Sequence, residues 1–124
     1  MTVLTITPFH PDDQAAVKQL ILAGLVEHWG FLDPTKNPDL EDIAASYRPG
    51  TFLVARLDNE IAGTGALIPH QAGTAEIVRM SVAPQHRRKG IGRRILDELL
   101  EQAQAQGYRQ VILETTDTWQ EVIK

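Results

Sequence analysis

The 124-residue sequence predicts a single α+β (mixed α/β) domain, with a central, mostly antiparallel sheet and helices on its faces. Three observations carry that expectation. The apolar and β-branched runs 51–57, 61–68 and 74–82 follow one another with only short polar turns between them, which is the pattern of an antiparallel meander. A longer run, from about Gly90 to Gln106, then places Ile91, Ile95, Leu99, Leu100 and Ala103 at helical spacing and stops at Gly107. The strand-like run Gln110–Thr115 follows directly, so a strand–helix–strand crossover makes 74–82 and 110–115 parallel neighbours.

The remaining elements follow in order. Thr2–Thr7 alternates apolar residues with threonines and reads as a first strand. His10-Pro11-Asp12-Asp13 reads as a helix start, because proline suits the first helical position and acids suit the first turn. That helix carries Val17, Leu20, Ile21 and Leu25 to about His28 and is broken by 29–34. Residues 39–47 form a short second helix, ended by Pro49-Gly50. Asp58-Asn59-Glu60 is a hairpin turn, and His70–Gly73 is another. Gly63 and Gly65 weaken the strand between them, which points to a bulge or a close backbone approach.

Composition narrows the function. With 43% hydrophobic residues the chain builds one modest core. It has no cysteine, which removes disulfides, thiolate metal sites and a cysteine nucleophile. No apolar run reaches the length of a membrane span and no signal-peptide pattern opens the chain, so the expectation is a cytoplasmic protein without a membrane partner. His10, His28, His70 and His86 are scattered without metal-ligand spacing, and no metal is expected; His86 reads as solvent-exposed. Net charge is −4, yet five of the 12 Lys/Arg lie in residues 87–94, where there is no acid. The remainder holds 7 basic and 16 acidic residues. One focused basic spot on an acidic body suits a small polyanion better than nucleic acid, which calls for a broad basic face.

That spot reads Arg87-Arg-Lys-Gly-Ile-Gly-Arg-Arg94, between a strand ending Met80-Ser81-Val82-Ala83-Pro84 and an amphipathic helix. Glycines at a helix start let a ligand approach the backbone closely. The first N–H groups of a helix lack internal partners and carry the positive end of its dipole, so a pyrophosphate fits there. Alone, the segment reads more readily as a solvated basic helix start with a glycine turn; the flanking strand and helix turn the balance to the cradle. A Walker loop is excluded because Lys89 precedes Gly90 and no Ser or Thr follows. The dinucleotide fingerprint is excluded because Ile95 stands where its third glycine belongs.

The pattern Arg87-x-x-Gly90-x-Gly92, after that strand, resembles the acetyl-CoA signature of the GNAT superfamily of N-acetyltransferases, Arg/Gln-x-x-Gly-x-Gly/Ala. The order of elements is also similar, most closely over Glu76–Leu100 and at Leu113-Glu114-Thr115. The resemblance implies a GNAT-like fold over 1–124, acetyl-CoA as co-substrate, and transfer of its acetyl group to a primary amine on a small-molecule or peptide acceptor. It implies that backbone N–H groups of Arg88, Lys89, Gly90, Ile91 and Gly92 hold the pyrophosphate, with Arg87 or Arg93 adding charge. It implies that the main chain of Met80, Ser81 and Val82 pairs with the pantetheine arm and polarises the thioester carbonyl.

A base must deprotonate the amine, directly or through water, and Glu76 is the first candidate. Strand alternation would put Glu76, Val78, Met80 and Val82 on one face, unless a bulge breaks the phase. A surface or structural carboxylate paired with Arg79 or another cation is the competing reading. Glu114 is a second candidate and reads more readily as structural. Tyr47 and Tyr108 are poor substitutes for the family's acidic tyrosine. Trp29, Phe31, Trp119 and 28–37 could line an acceptor pocket, although core packing is the commoner use of such aromatics.

The family continues after 110–115 with a full helix and two strands, whereas here Thr118–Lys124 reads as the start of that helix and the sequence stops. The expectation is a truncated product, or a fold completed at its C-terminal edge by a partner chain such as a second copy. Two rival functions remain at this level: a CoA-binding module without catalysis, and a small nucleic-acid-binding domain.

Overall fold

In a computed structural model of the chain, six strands form one sheet in the order β1-β2-β3-β4-β5-β6. The structure describes residues 3–30, 37–114 and 119–123. The strands are β1 (Leu4–Pro8), β2 (Thr51–Leu57), β3 (Glu60–Gln71), β4 (Thr74–Val82), β5 (Gln110–Glu114) and β6 (Trp119–Ile123). All neighbours are antiparallel except β4 and β5, which pair in parallel from Thr74↔Gln110 to Ile77↔Leu113. The helices are α1 (Gln14–Trp29), α2 (Ile43–Ser46) and α3 (Ile91–Ala105).

The sheet is buried on both faces. Helix α3 lays Ile91, Ile95, Leu99 and Ala103, four apart, against Leu53, Leu67, Ala75, Ile77 and Val111. On the other face, Val17 and Ile21 of α1 and Ile43 of α2 pack with Leu40, Tyr47, Phe52, Val54 and Ala66. Strand β2 therefore reads Phe52-Leu53-Val54-Ala55 without a polar residue, because alternate side chains enter two different cores.

Several boundaries move for local reasons. Pro11 opens a 3-10 turn, Pro11–Asp13, and α1 begins only at Gln14. The 39–47 helix divides into a 3-10 turn, Pro38–Glu41, and the single-turn α2, whose N-cap Asp42 accepts from the Ala45 N–H at 3.2 Å. The turn expected at His70–Gly73 is shorter, since β3 runs on to Gln71.

The C-terminal segment corrects the sequence expectation. Trp119–Ile123 is a strand antiparallel to β5, from Gln110↔Ile123 to Glu114↔Trp119, and not the beginning of a helix. The edge of β5 supplies backbone partners, and Trp, Val and Ile favour strands.

Candidate active site

The site is built on a fault in β4. Thr64 of β3 opposes Ser81 and Ala66 opposes Val78, so Gly65 alone faces both Arg79 and Met80. This is a β-bulge, and Arg79 occupies it with φ +56. A non-glycine residue in that region costs roughly 1–3 kcal/mol and persists only where its surroundings fix it. Gly65 is what admits the bulge. A Cβ there would lie 2.6 Å from both Met80 Sδ and Ile95 Cγ2.

The bulge changes which way each side chain points. Ala75 and Ile77 enter the α3-side core, and beyond the bulge so do Met80 and Val82. Val78 joins the α1-side core, and Ser81 Oγ lies against Gly24 of α1. The expected common face of Glu76, Val78, Met80 and Val82 is therefore wrong: Met80 shares a face with Ile77, and Glu76 alternates away from both. Met80 and Val82 pack in the core, which leaves only their main chain for a ligand.

The pairing of β4 with β5 stops at Ile77↔Leu113, and Val78–Val82 has no ladder partner on the β5 side among the described residues. An unpaired strand edge accepts an extended, amide-bearing ligand as an added strand.

The loop from Ala83 to the start of α3 lies at the end of that edge. A 3-10 turn, Pro84–His86, leads to Arg87; Arg88 (φ 64) and Gly90 (φ 77) then adopt left-handed backbone. Alternation of this kind gathers successive N–H groups into an anion-binding concavity. The first helical bond beyond the cap runs from the Arg94 N–H to the Gly90 carbonyl at 3.1 Å, so the N–H groups of Ile91, Gly92 and Arg93 precede it. A Cβ at Gly90 would meet no protein atom within 4 Å, and one at Gly92 would only touch Val82, so this surface is open to a ligand.

The cations of the loop divide into two groups. Arg87 bridges to Glu27 of α1 at 2.6 Å, and Arg93 to Asp97 one turn on at 3.0 Å. Arg88 and Arg94 are exposed and have no ion pair among the described residues, and Lys89 Nζ lies 3.3 Å from His86 Nδ1. The sequence picked Arg87 or Arg93 to add charge, yet each already faces a carboxylate. His86 corrects another expectation. Its side chain is only 11% exposed, and its Nε2 lies 3.0 Å from Glu60 Oε1, which also accepts from Gln85. The hydrogen bonds from Gln85 and His86 hold the Glu60 carboxyl below its usual range.

Glu76 is buried, 9% exposed, in the part of β4 that is paired on both sides, opposite Ile68 and Ile112. Arg79, its supposed partner, instead makes a two-point bridge to Asp39, Nε to Oδ2 at 3.0 Å and Nη2 to Oδ1 at 2.7 Å, and donates from Nη2 to Asn37 Oδ1 at 3.0 Å. Tyr47 also donates its phenolic hydrogen to Asp39 Oδ2. Burial raises the Asp39 carboxyl, but the hydrogen bonds from Arg79 and Tyr47 outweigh it and leave the group below its ordinary value. Burial, with the Asp39 hydrogen bond, pushes Tyr47 up to about 12. A phenol held that firmly is a poor proton donor. By sequence Asp39 reads only as part of a short helix and Asn37 only as part of the 28–37 pocket range, because no local pattern links either to Arg79; Gly63 and Gly65 are the signal of the bulge that brings Arg79 to them. Phe31 lies outside the described residues, as do the side chains of Trp29, Glu114 and Trp119. Tyr108 packs at the end of the α3 core, away from the bulge.

A sequence profile of the acetyltransferase (GNAT) family matches residues 16–123. The IAA acetyltransferase of Azospirillum brasilense is 38% identical over 104 residues, which is 82% of this chain and 67% of that protein. The chain spans only 38% and 43% of two further N-acetyltransferase relatives. Among solved structures, a GNAT-family acetyltransferase from Staphylococcus aureus Mu50 superposes with a TM-score of 0.84 at 24% identity, over 93% of this chain and 75% of that one. A GNAT-family acetyltransferase from Brucella melitensis in complex with acetyl-CoA superposes with a TM-score of 0.79 at 20% identity, over 98% and 88%. The chain belongs to the acetyltransferase (GNAT) family, and it has that family's fold. Acetyl-CoA is the co-substrate of this family. Among the described residues no helix is long and apolar enough to cross a membrane.

Proposed function

We propose that this chain transfers the acetyl group of acetyl-CoA to a primary amine by direct attack, without a covalent enzyme intermediate. The observation that carries this reading is the continuity of two features: an edge over Val78–Val82 without a ladder partner on the β5 side among the described residues leads into an anion-binding loop opening α3. Backbone N–H groups of Arg88, Lys89, Gly90, Ile91 and Gly92 receive the pyrophosphate, and Arg88 supplies unpaired charge. Arg87, bound to Glu27, acts mainly by holding the loop against α1, and Arg93 is paired with Asp97 within α3. The main chain of Met80, Ser81 and Val82 takes the pantetheine arm, and an N–H there donates to the thioester oxygen as negative charge develops on it.

The neutral amine attacks the carbonyl carbon, the C–S bond breaks, and the CoA thiolate leaves and takes up a proton. Glu76 accepts the proton released from nitrogen, through water. Its place on β4, three residues before the bulge and on the face opposite Ile77, is what supports that role.

Titration calorimetry with acetyl-CoA, followed by thiol release over a panel of amines, tests the reading. One site per chain with amine-dependent thiol release is the expected result. Binding without release for any amine would leave a CoA-binding module, and no binding by a folded sample would overturn the reading. Glu76→Gln should lower the transfer rate and flatten its rise with pH while acetyl-CoA affinity stays the same. An unaltered pH–rate profile would remove Glu76 as the base.

A further inference from the structure

We infer that Arg79 is a positioning residue for the transfer: its bridge to Asp39 fixes the bulge that aims the Met80–Val82 main chain at the thioester carbonyl. The inference rests on the reading of the site given above and adds to it a residue that does not itself touch the substrate.

The bulge is held from two sides. From β3, the fully buried Thr64 donates its hydroxyl to the Arg79 carbonyl at 2.8 Å. From the opposite side, Asp39 and Asn37 hold the guanidinium through three hydrogen bonds, and Tyr47 closes the cluster on Asp39. A planar guanidinium meeting a carboxylate at two points fixes orientation as well as distance. Arg79 could relieve its left-handed backbone by sliding β4 back into register with β3, and these contacts oppose that slide. Regular register would return Met80–Val82 to the opposite phase, turning the N–H groups that now face the open edge.

The clamp also reaches across the site. Asn37 and Asp39 lie in the segment between α1 and α2, which Gln14 secures by donating to the Leu40 carbonyl at 2.6 Å and accepting from the Ile43 N–H at 2.9 Å. Lys18 adds a bridge to Glu41 at 3.0 Å. The α1–α2 segment and the bulge therefore behave as one body, and displacing one displaces the other.

The test uses acetyl-CoA labelled with 13C at the acetyl carbonyl, the whole chain, and three variants. Arg79→Ala removes the clamp and keeps the left-handed strain at φ +56, so only the Thr64 bond then opposes the slide. Arg79→Lys keeps the charge without the two-point geometry. Thr64→Val removes the β3-side hold at nearly constant volume.

In the wild type the bound carbonyl resonance should lie downfield of free acetyl-CoA. In Arg79→Ala it should return toward the free position, with acetyl-CoA affinity reduced about tenfold, the scale of one hydrogen bond, and CoA affinity, which shares the pantetheine pairing but not the carbonyl bond, reduced less. Arg79→Lys and Thr64→Val should fall between. A downfield resonance retained in folded Arg79→Ala would overturn the inference, as would a wild-type resonance that never moves on binding. If the folded wild type binds neither acetyl-CoA nor CoA, the proposed function fails first.

Discussion

Asp39 and Arg79 are 40 residues apart in sequence and meet in a two-point bridge that joins an irregular segment to the bulge of β4. Neither side chain is fully buried, at 28% and 18% exposed, so the pair keeps some hydration while excluding most water. Charge-assisted hydrogen bonds of this kind contribute about 1.5–3 kcal/mol each in favourable cases.

Asp39→Asn should therefore destabilise the domain by about 1–3 kcal/mol at neutral pH. The folded carboxyl titrates below its ordinary value, so its contribution is complete above the unfolded pKa and is lost as pH falls through the folded one. The gap between wild type and variant should close on acidification below about pH 4. Urea melts at several pH values measure this, and a gap independent of pH would show that the charge on Asp39 contributes nothing.

Tyr47→Phe probes the same cluster from the other end of the pH scale. With the phenol raised from 10.0 to about 12, the contribution of the protonated form is whole below pH 10 and is lost as pH rises through about 12. The wild type should lose stability relative to the variant across that window. Tyrosinate absorbance should show a late step in the wild type that is missing in Tyr47→Phe. Because Tyr47 holds its proton so firmly, the substitution should leave the neutral limb of any transfer pH profile in place.

Gly90→Glu should abolish acetyl-CoA binding and leave a folded domain. The position is left-handed at φ 77 and a Cβ there contacts nothing, so the structural cost is about 1–2 kcal/mol of backbone strain. A carboxylate in the anion-binding loop would repel the pyrophosphate. Calorimetry and a thermal melt on one sample read both effects, and retained affinity would remove the loop from the site.

Gly65→Val should destabilise by about 1–3 kcal/mol through overpacking. Its Cβ would lie 2.6 Å from Met80 Sδ and Ile95 Cγ2 and 3.0 Å from Leu99 Cδ1, where β3, the bulge and α3 meet. Met80→Ala in the same chain should recover part of the loss by making room, which denaturant melts of the single and double variants would show.

The sequence alone determined the elements whose signal is local. The periodicity of 91–105, the Gly107 stop, the runs of β2 to β4 and the glycine loop before α3 depend on neighbours a few residues away. They appear in the structure nearly where the pattern puts them. The family was legible for the same reason, because Arg87-x-x-Gly90-x-Gly92 is contiguous.

Tertiary structure decided the rest. Which face Met80 presents depends on one extra residue in β4 opposite Gly65, and a strand's alternation carries no record of such a slip. Asp39 looks like any loop acid until the sheet brings Arg79 to it, and Arg87 and Arg93 look like free charge until Glu27 and Asp97 face them. Trp119–Ile123 could begin a helix by pattern, but the edge of β5, which no local signal announces, supplies the backbone partners that make it a strand.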